Sequence, residues 1–304
     1  MESTSTWLIT IGILSAVIAF DLILAILRRN KETSMREAAI WTVIYVAAAI
    51  AFGYFMPNWT PSPTAQKEFF AGWLTEYALS VDNIFVFVII LSRLQIDKTK
   101  QQLVLLLGII IALVLRGVFI AAGTAIITRF SSAFFIFGAF LIYTAYKLLR
   151  EDGNEEEEQE DSRIVKFMRS KGASSFTIAL ITLGVTDLVF ALDSIPAIFG
   201  ITKDPYIVVT ANIFALMGLR QLYFLLQGLL KRLVYLSKGL SIILAFIGVK
   251  MFFEAFHGVG IHEIAGIEVP HVSIEFSLGV IVSTLLITAV ASLTATRKDG
   301  SEII

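Results

Sequence analysis

One stretch of this sequence occurs twice, and both copies lie where charge is hardest to accommodate. Thr75 to Ile84 reads TEYALSVDNI, and Thr186 to Ile195 reads TDLVFALDSI. Superposed, the two share a threonine, an acid, an aliphatic residue, an aspartate, a small polar residue and an isoleucine in the same order. Glu76 and Asp82 therefore match Asp187 and Asp193 at equal spacing. Each copy falls within a run of roughly twenty mostly apolar residues, long enough to cross a bilayer. A bare carboxylate at such a depth costs roughly 2.5 to 3.5 kcal/mol or more. Four of them require a compensating charge, and a bound cation is the simplest source.

The rest of the chain agrees with a membrane setting. Of 304 residues, 57% are hydrophobic and 16% charged, and the mean hydropathy is +0.80; this describes an all-α polytopic membrane protein. Apolar runs predict about nine spanning helices: Trp7 to Leu27, Ala38 to Met56, Phe69 to Leu91, Leu103 to Ala125, Ala133 to Leu149, Phe176 to Phe199, Ile207 to Leu230, Leu240 to Phe256 and Phe276 to Leu293. If the N-terminus starts outside, 18 of the 24 lysines and arginines fall on the cytoplasmic side. The exceptions are Lys67, Arg129 and Lys203 on the opposite side, and Arg116, Arg220 and Lys250 within helices. This bias predicts an N-terminus outside and a C-terminus inside the cytoplasm. Arg28, Arg29 and Lys31 follow the first apolar run rather than precede it, the wrong order for a cleaved secretory signal.

The sequence reads as a single transmembrane domain, 1–304, in five parts. Residues 1–67 form an N-terminal two-helix segment, 68–150 a first repeat and 151–172 a cytoplasmic loop. Residues 173–256 form a second repeat, and 257–304 an external loop and the last helix. The cytoplasmic loop holds the acidic run EDGNEEEEQED (Glu151 to Asp161), read as a solvated linker or a weak cation sponge. It is followed by RIVKFMRSK (Arg163 to Lys171), whose apolar residues can rest on an anionic membrane surface. His257, His262 and His271 share one predicted external loop with Glu263 and Glu268. They read as an ordinary polar loop, or as a surface metal or pH-responsive site.

The repeat extends beyond its acidic core. IALVLRGVF (Ile111 to Phe119) matches IFALMGLRQLYF (Ile213 to Phe224) and sets Arg116 opposite Arg220; GAFLIYTAYK (Gly138 to Lys147) matches LAFIGVKM (Leu244 to Met251) more weakly. Three helices per unit is an odd number, so consecutive copies enter the membrane from opposite sides. Helices three to five and six to eight are thus expected to form an inverted repeat with a site where the halves meet.

Six residues turn a straight helix to a net offset of about 120° and rise about 9 Å, so Glu76 and Asp82 cannot face one ion unless the helix breaks. Pro196, beside Asp193, predicts such a break in the second copy. Asp82 with Asn83 and Asp193 with Ser194 each pair a carboxylate with a neutral oxygen. The chain has no cysteine, so thiolate ligands, disulfides and cysteine nucleophiles are excluded. An oxygen-only set suits Mn²⁺, Mg²⁺ or Ca²⁺. Glu76, Asp82, Asp187 and Asp193 against Arg116 and Arg220 leave a residual charge that one divalent cation would cancel. The plainer alternative is that the arginines pair with the acids and hold helices together. Asp21 is read as a vestibule ligand or an interfacial residue, Asn212 as a site residue or an interhelical hydrogen bond, and Lys250 and Glu254 as an i,i+4 pair.

On these motifs, together with IAFDL (Ile18 to Leu22) and SMREAAIW (Ser34 to Trp41), the sequence resembles the TerC (tellurium-resistance) family of integral membrane proteins. In length and layout it is similar to the family's Alx-type members. The resemblance implies a bacterial inner-membrane metal-ion exporter within a broader LysE-like superfamily, with Mn²⁺ as the best-supported substrate. It also implies that Glu76, Asp82, Asn83, Asp187, Asp193 and Ser194 bind the ion. No nucleotide-binding loop is present, so a proton-coupled antiporter is expected rather than an enzyme or a pump driven by hydrolysis. The expected partners are the lipid bilayer, the divalent ion and protons, with no nucleic acid and no organic cofactor. A membrane scaffold for stress-response or exoprotein-metalation partners is the competing function. An intramembrane hydrolase has no serine or histidine pairing within the helices to support it.

Overall fold

A computed structural model describes residues 3–27, 34–130, 132–150, 163–226, 234–264 and 267–299. The acidic run Glu151 to Asp161 lies outside the described residues. The elements are α1 (Thr4–Leu27), α2 (Met35–Phe55), a 3-10 turn (Met56–Asn58), α3 (Ala65–Arg93), α4 (Lys98–Arg129), α5 (Ala133–Arg150), α6 (Arg163–Ser170), α7 (Ser175–Phe199), α8 (Pro205–Leu226), α9 (Leu236–Gly258), β1 (Glu263–Ile264), β2 (Ile267–Glu268) and α10 (Ile274–Asp299). A long helix occupies each of the nine predicted apolar runs. Eight of these helices are long and apolar enough to cross a membrane. The remaining one is α3, 29 residues long, which carries Lys67, Glu68, Glu76 and Asp82.

Local chemistry sets the helix starts. The Ser34 hydroxyl accepts from the Glu37 amide at the head of α2, and the Ser174 hydroxyl accepts from the Thr177 amide at the head of α7. Each cap satisfies an N–H with no partner inside its helix. The expected break at Pro196 does not occur, since α7 runs without interruption from Ser175 to Phe199. Pro196 sits in the last turn, where its missing N–H removes a single bond, the one to the Leu192 carbonyl. The predicted polar loop after α9 contains a two-residue hairpin in which Glu263 pairs with Glu268.

Glycines set the register of the core. A Cβ on Gly72 of α3 would meet Ala211 of α8, and one on Gly218 of α8 would meet Tyr77 of α3, so these helices run parallel. Gly108 against Leu183 and Gly123 against Phe199 do the same for α4 and α7. α5 and α9 run antiparallel and touch backbone to backbone: a Cβ on Gly138 would lie 2.9 Å from the Gly248 carbonyl oxygen, and the reverse distance is also 2.9 Å. Small residues at such crossings let helices approach closely where lipid leaves little hydrophobic drive between them. α1 and α2 join α3 and α8 in an aromatic-rich cluster that includes Tyr45, Phe69, Trp73, Tyr206 and Phe214. α10 packs on α3 and α9. Many outward-facing side chains are large and apolar, among them Leu8, Val43, Val114, Ile136 and Leu286.

Candidate functional site

α4 places Arg116 at the centre of this bundle, 1% exposed. A guanidinium without partners in such surroundings would be very costly, and its neighbours account for it. Nε donates to Asp187 Oδ2 at 2.8 Å and Nη2 to Asp187 Oδ1 at 3.1 Å, a two-pronged grip on α7. Nη1 donates to Glu76 Oε1 on α3, to Asn212 Oδ1 on α8 at 3.0 Å and to Ser194 Oγ on α7 at 3.2 Å. One side chain, on the helix that follows the first copy of the repeated motif, thus gathers groups from both copies and from the helix that follows the second. Glu76, Asp187 and Ser194 of the repeated motif come together here with Arg116 and Asn212.

This pairing is the plainer alternative for Glu76 and Asp187, whose partner is an arginine. Yet it is incomplete, with two carboxylates and one guanidinium. Glu76 Oε2, Asn212 Nδ2, Thr75 Oγ1 and Ser80 Oγ are all buried without a hydrogen-bond partner among the described residues. A buried polar atom left unpaired costs about 1–3 kcal/mol, so the cluster holds polar capacity beyond what the arginine uses. Thr75 and Ser80 join the candidate set only in the structure. Ser80 follows Glu76 by one helical turn and so shares its face, but its mate in the second copy is Ala191, and matching the repeats hides it. Among the described residues no group of three or more His, Asp and Glu side chains is placed to hold a metal ion. The side chains of Asp82 and Asp193 lie outside the described residues. Asn83 is buried on α3.

Arg220 corrects the charge count, because it does not join the central acids. Its Nη2 donates to Asp21 Oδ1 of α1 at 2.5 Å, and Tyr45 of α2 lines the same small cavity as Asp21 and Arg220. With its oxygen turned inward, the Gln221 amide accepts from Arg220 Nε at 3.2 Å and Nη2 at 2.6 Å. Arg220 Nη1 has no partner among the described residues. Asp21 is buried and is Arg220's counter-ion. The central set therefore keeps Arg116 alone as its cation.

Lys250 and Glu254 also differ from expectation. Lys250 Nζ donates to Ser277 Oγ on α10 at 3.2 Å, while Glu254 pairs with Lys203 at 2.8 Å. At the end of α9, the His257 ring lies 4.0 Å from His271 and 5.4 Å from His262, centroid to centroid. His257 Nδ1 is bonded to the Phe253 carbonyl at 2.8 Å.

The model of the integral membrane protein TerC family matches residues 61–300, which includes every helix of both repeats. The chain belongs to the TerC family. A membrane protein of Mycobacterium tuberculosis is 42% identical over 317 residues, covering 96% of this chain and 79% of its own length. Proteins named putative membrane-bound redox modulator Alx are similar as well. That of Photorhabdus laumondii is 34% identical over 316 residues, covering 95% of each chain. That of Escherichia coli is 33% identical over 302 residues, covering 91% of this chain and 90% of the relative. No solved structure matches. Membership in this family, together with the apolar helices, makes the chain a multi-pass integral membrane protein.

Proposed function

We propose that this TerC-family chain exports a divalent metal cation, Mn²⁺ foremost, across the bacterial inner membrane in exchange for protons. The observation that carries this reading is the Arg116 cluster: a fully buried polar site drawn from both repeats, with more acid than base and a Glu76 oxygen that has no partner among the described residues. A site built only to tie helices together would balance its charges and satisfy its polar atoms. In this reading α3 also spans the membrane, giving nine spans with the N-terminus outside.

Packing supports an inverted arrangement of LysE-like type. If α3, α4 and α5 are exchanged with α7, α8 and α9, the parallel pair α3–α8 maps onto the parallel pair α7–α4, and the antiparallel pair α5–α9 maps onto itself. Helices so related can rock about a central site and open it to alternate sides. Ion ligands come from Glu76, Asp187 and Ser194, with Asp82, Asn83 and Asp193 from the repeated motifs. Arg116 keeps the empty acids from repelling one another. Moving a divalent cation outward against about 100 mV, inside negative, costs about 4.6 kcal/mol before any concentration gradient, and inward proton movement offsets this.

The relatives' name points to redox modulation. The chain has no cysteine, so it has no thiol of its own for such a role. The test is flux in proteoliposomes holding the purified chain. Mn²⁺ efflux should accelerate when a proton gradient is imposed against it, and should be lost in Asp82→Asn and Asp193→Asn. Flux indifferent to the gradient would remove the antiport. Physiological function intact in both variants would favour a scaffold.

A further inference from the structure

We propose that Glu68 is the relay acid of the outer half of the transport path, the carboxylate that takes the proton on its way in and meets the departing cation on its way out. This deepens the export reading and rests on it, with the linked ends of α7 and α8 facing outward. Glu68 is set apart from the acids near it by its partners. Glu254 is taken by Lys203 at 2.8 Å and Glu275 by Lys67, while Asp204 Oδ1 accepts from the Tyr206 amide at the head of α8 at 2.9 Å. Glu68 is half-buried and forms no ion pair among the described residues. Its Oε1 accepts from Thr64 at 2.6 Å and its Oε2 from Thr202 at 2.5 Å. Lys250 of α9 acts on Glu68 through its charge, but its Nζ donates to Ser277. Two hydroxyls hold this carboxylate in place without cancelling its charge.

Position gives that charge a route to the centre. Glu68 and Glu76 lie about 12 Å apart along α3, with Gly72 and Thr75 between them at helical spacing on one face. That face is turned toward α7 and α8. A Cβ on Gly72 would lie 3.5 Å from Ala211 Cβ and 3.6 Å from Ile198 Cγ2, both ordinary contact distances, so the glycine leaves a gap the size of a methyl group. The same two helices bring Ser194 and Asn212 to Arg116. Glu68, the gap at Gly72, the buried Thr75 hydroxyl and Glu76 therefore follow one another down a single seam. Thr202 belongs to the link between α7 and α8, and its bond to Glu68 ties that link across the mouth of the seam. A proton on Glu68 turns one of its oxygens from acceptor to donor, so one of the two threonine bonds must reverse or break. Losing the Thr202 bond frees the link, and proton entry thereby loosens the outer end for the ion to leave.

The chain has no native cysteine, so a single reporter can read the path. Ala211→Cys places a thiol at the gap beside Gly72. In spheroplasts, two impermeant methanethiosulfonate reagents approach it from the outer face alone, one carrying trimethylammonium and the other sulfonate. Relative to a free thiol, the cationic reagent should react about tenfold or more faster than the anionic one, as a cleft of one charge concentrates its counter-ions. Glu68→Gln should lower that ratio about threefold or more, and Glu68→Asp should keep it. A reporter inert to both reagents, or a ratio blind to Glu68→Gln, would overturn the relay. In proteoliposomes, Glu68→Gln should lower the maximal Mn²⁺ flux about tenfold or more, as loss of a proton-transfer group does. The half-saturating Mn²⁺ concentration on the loading side and the thermal stability should stay near those of the native chain, because glutamine can keep both hydroxyl partners. Unchanged flux, or a loss of flux that only tracks a loss of stability, would also overturn the relay. If vesicles of the native chain move no Mn²⁺ while the reagents still discriminate through Glu68, the path stands and the export reading falls.

Discussion

Two buried arginines at matched positions in the repeat have unlike surroundings. Arg116 is held by groups on α3, α7 and α8, with two carboxylates among them. Arg220 is held by one carboxylate on α1 and by the neighbouring Gln221 amide. The repeat alone would give them equivalent partners. The helices that precede it break the equivalence, because α1 supplies an acid to one arginine and has no counterpart for the other. An added helix pair thus turns a symmetric scaffold into one with a preferred arrangement.

The largest expected effect separates the two arginines directly. Arg116→Met leaves Glu76 and Asp187 facing each other without a cation. It should cost about 3–5 kcal/mol, as removal of one partner from a buried pair does, and should abolish flux. Arg220→Met leaves only one acid, Asp21, uncompensated. Its loss of thermal stability in detergent should be smaller than that of Arg116→Met, and equal losses would break the comparison. The smallest effect sharpens it. Ser194→Ala removes one acceptor at 3.2 Å from a guanidinium that keeps its other partners. Stability should change by about 0.5–1.5 kcal/mol, while Mn²⁺ flux should fall by much more if Ser194 is an ion ligand.

Much of this arrangement is written in the sequence as periodicity and spacing. The nine apolar runs carry their helices because unbroken hydropathy over a membrane's width leaves few other conformations open to the backbone. Glu76, Arg116 and Asp187 were identifiable because buried charge is rare enough to stand out singly. The partner of Arg220 was not legible. Asp21 lies 199 residues away and outside the repeat, so neither local spacing nor the repeat points to it. Lys250 shows a related limit. Glu254 lies at helical spacing from it, but Lys203 from the α7–α8 connection takes that acid, and Lys250 turns to Ser277. Pro196 does not break α7, since a proline in a final turn removes a bond that a helix end can spare. Ser80 and Thr75 are inconspicuous in the sequence because a hydroxyl in an apolar helix can usually bond its own backbone, and sequence does not reveal when it fails to.

The glycine contact between α5 and α9 has a mechanical consequence. No side chain stands between Gly138 and Gly248, so the two helices bear on each other through their main chains. Sliding would drive Phe252 or Ile142, which already crowd the crossing, into backbone, whereas tilting about the point of contact displaces little. The crossing acts as a fulcrum, and a few degrees of rotation there become ångströms of travel at the helix ends.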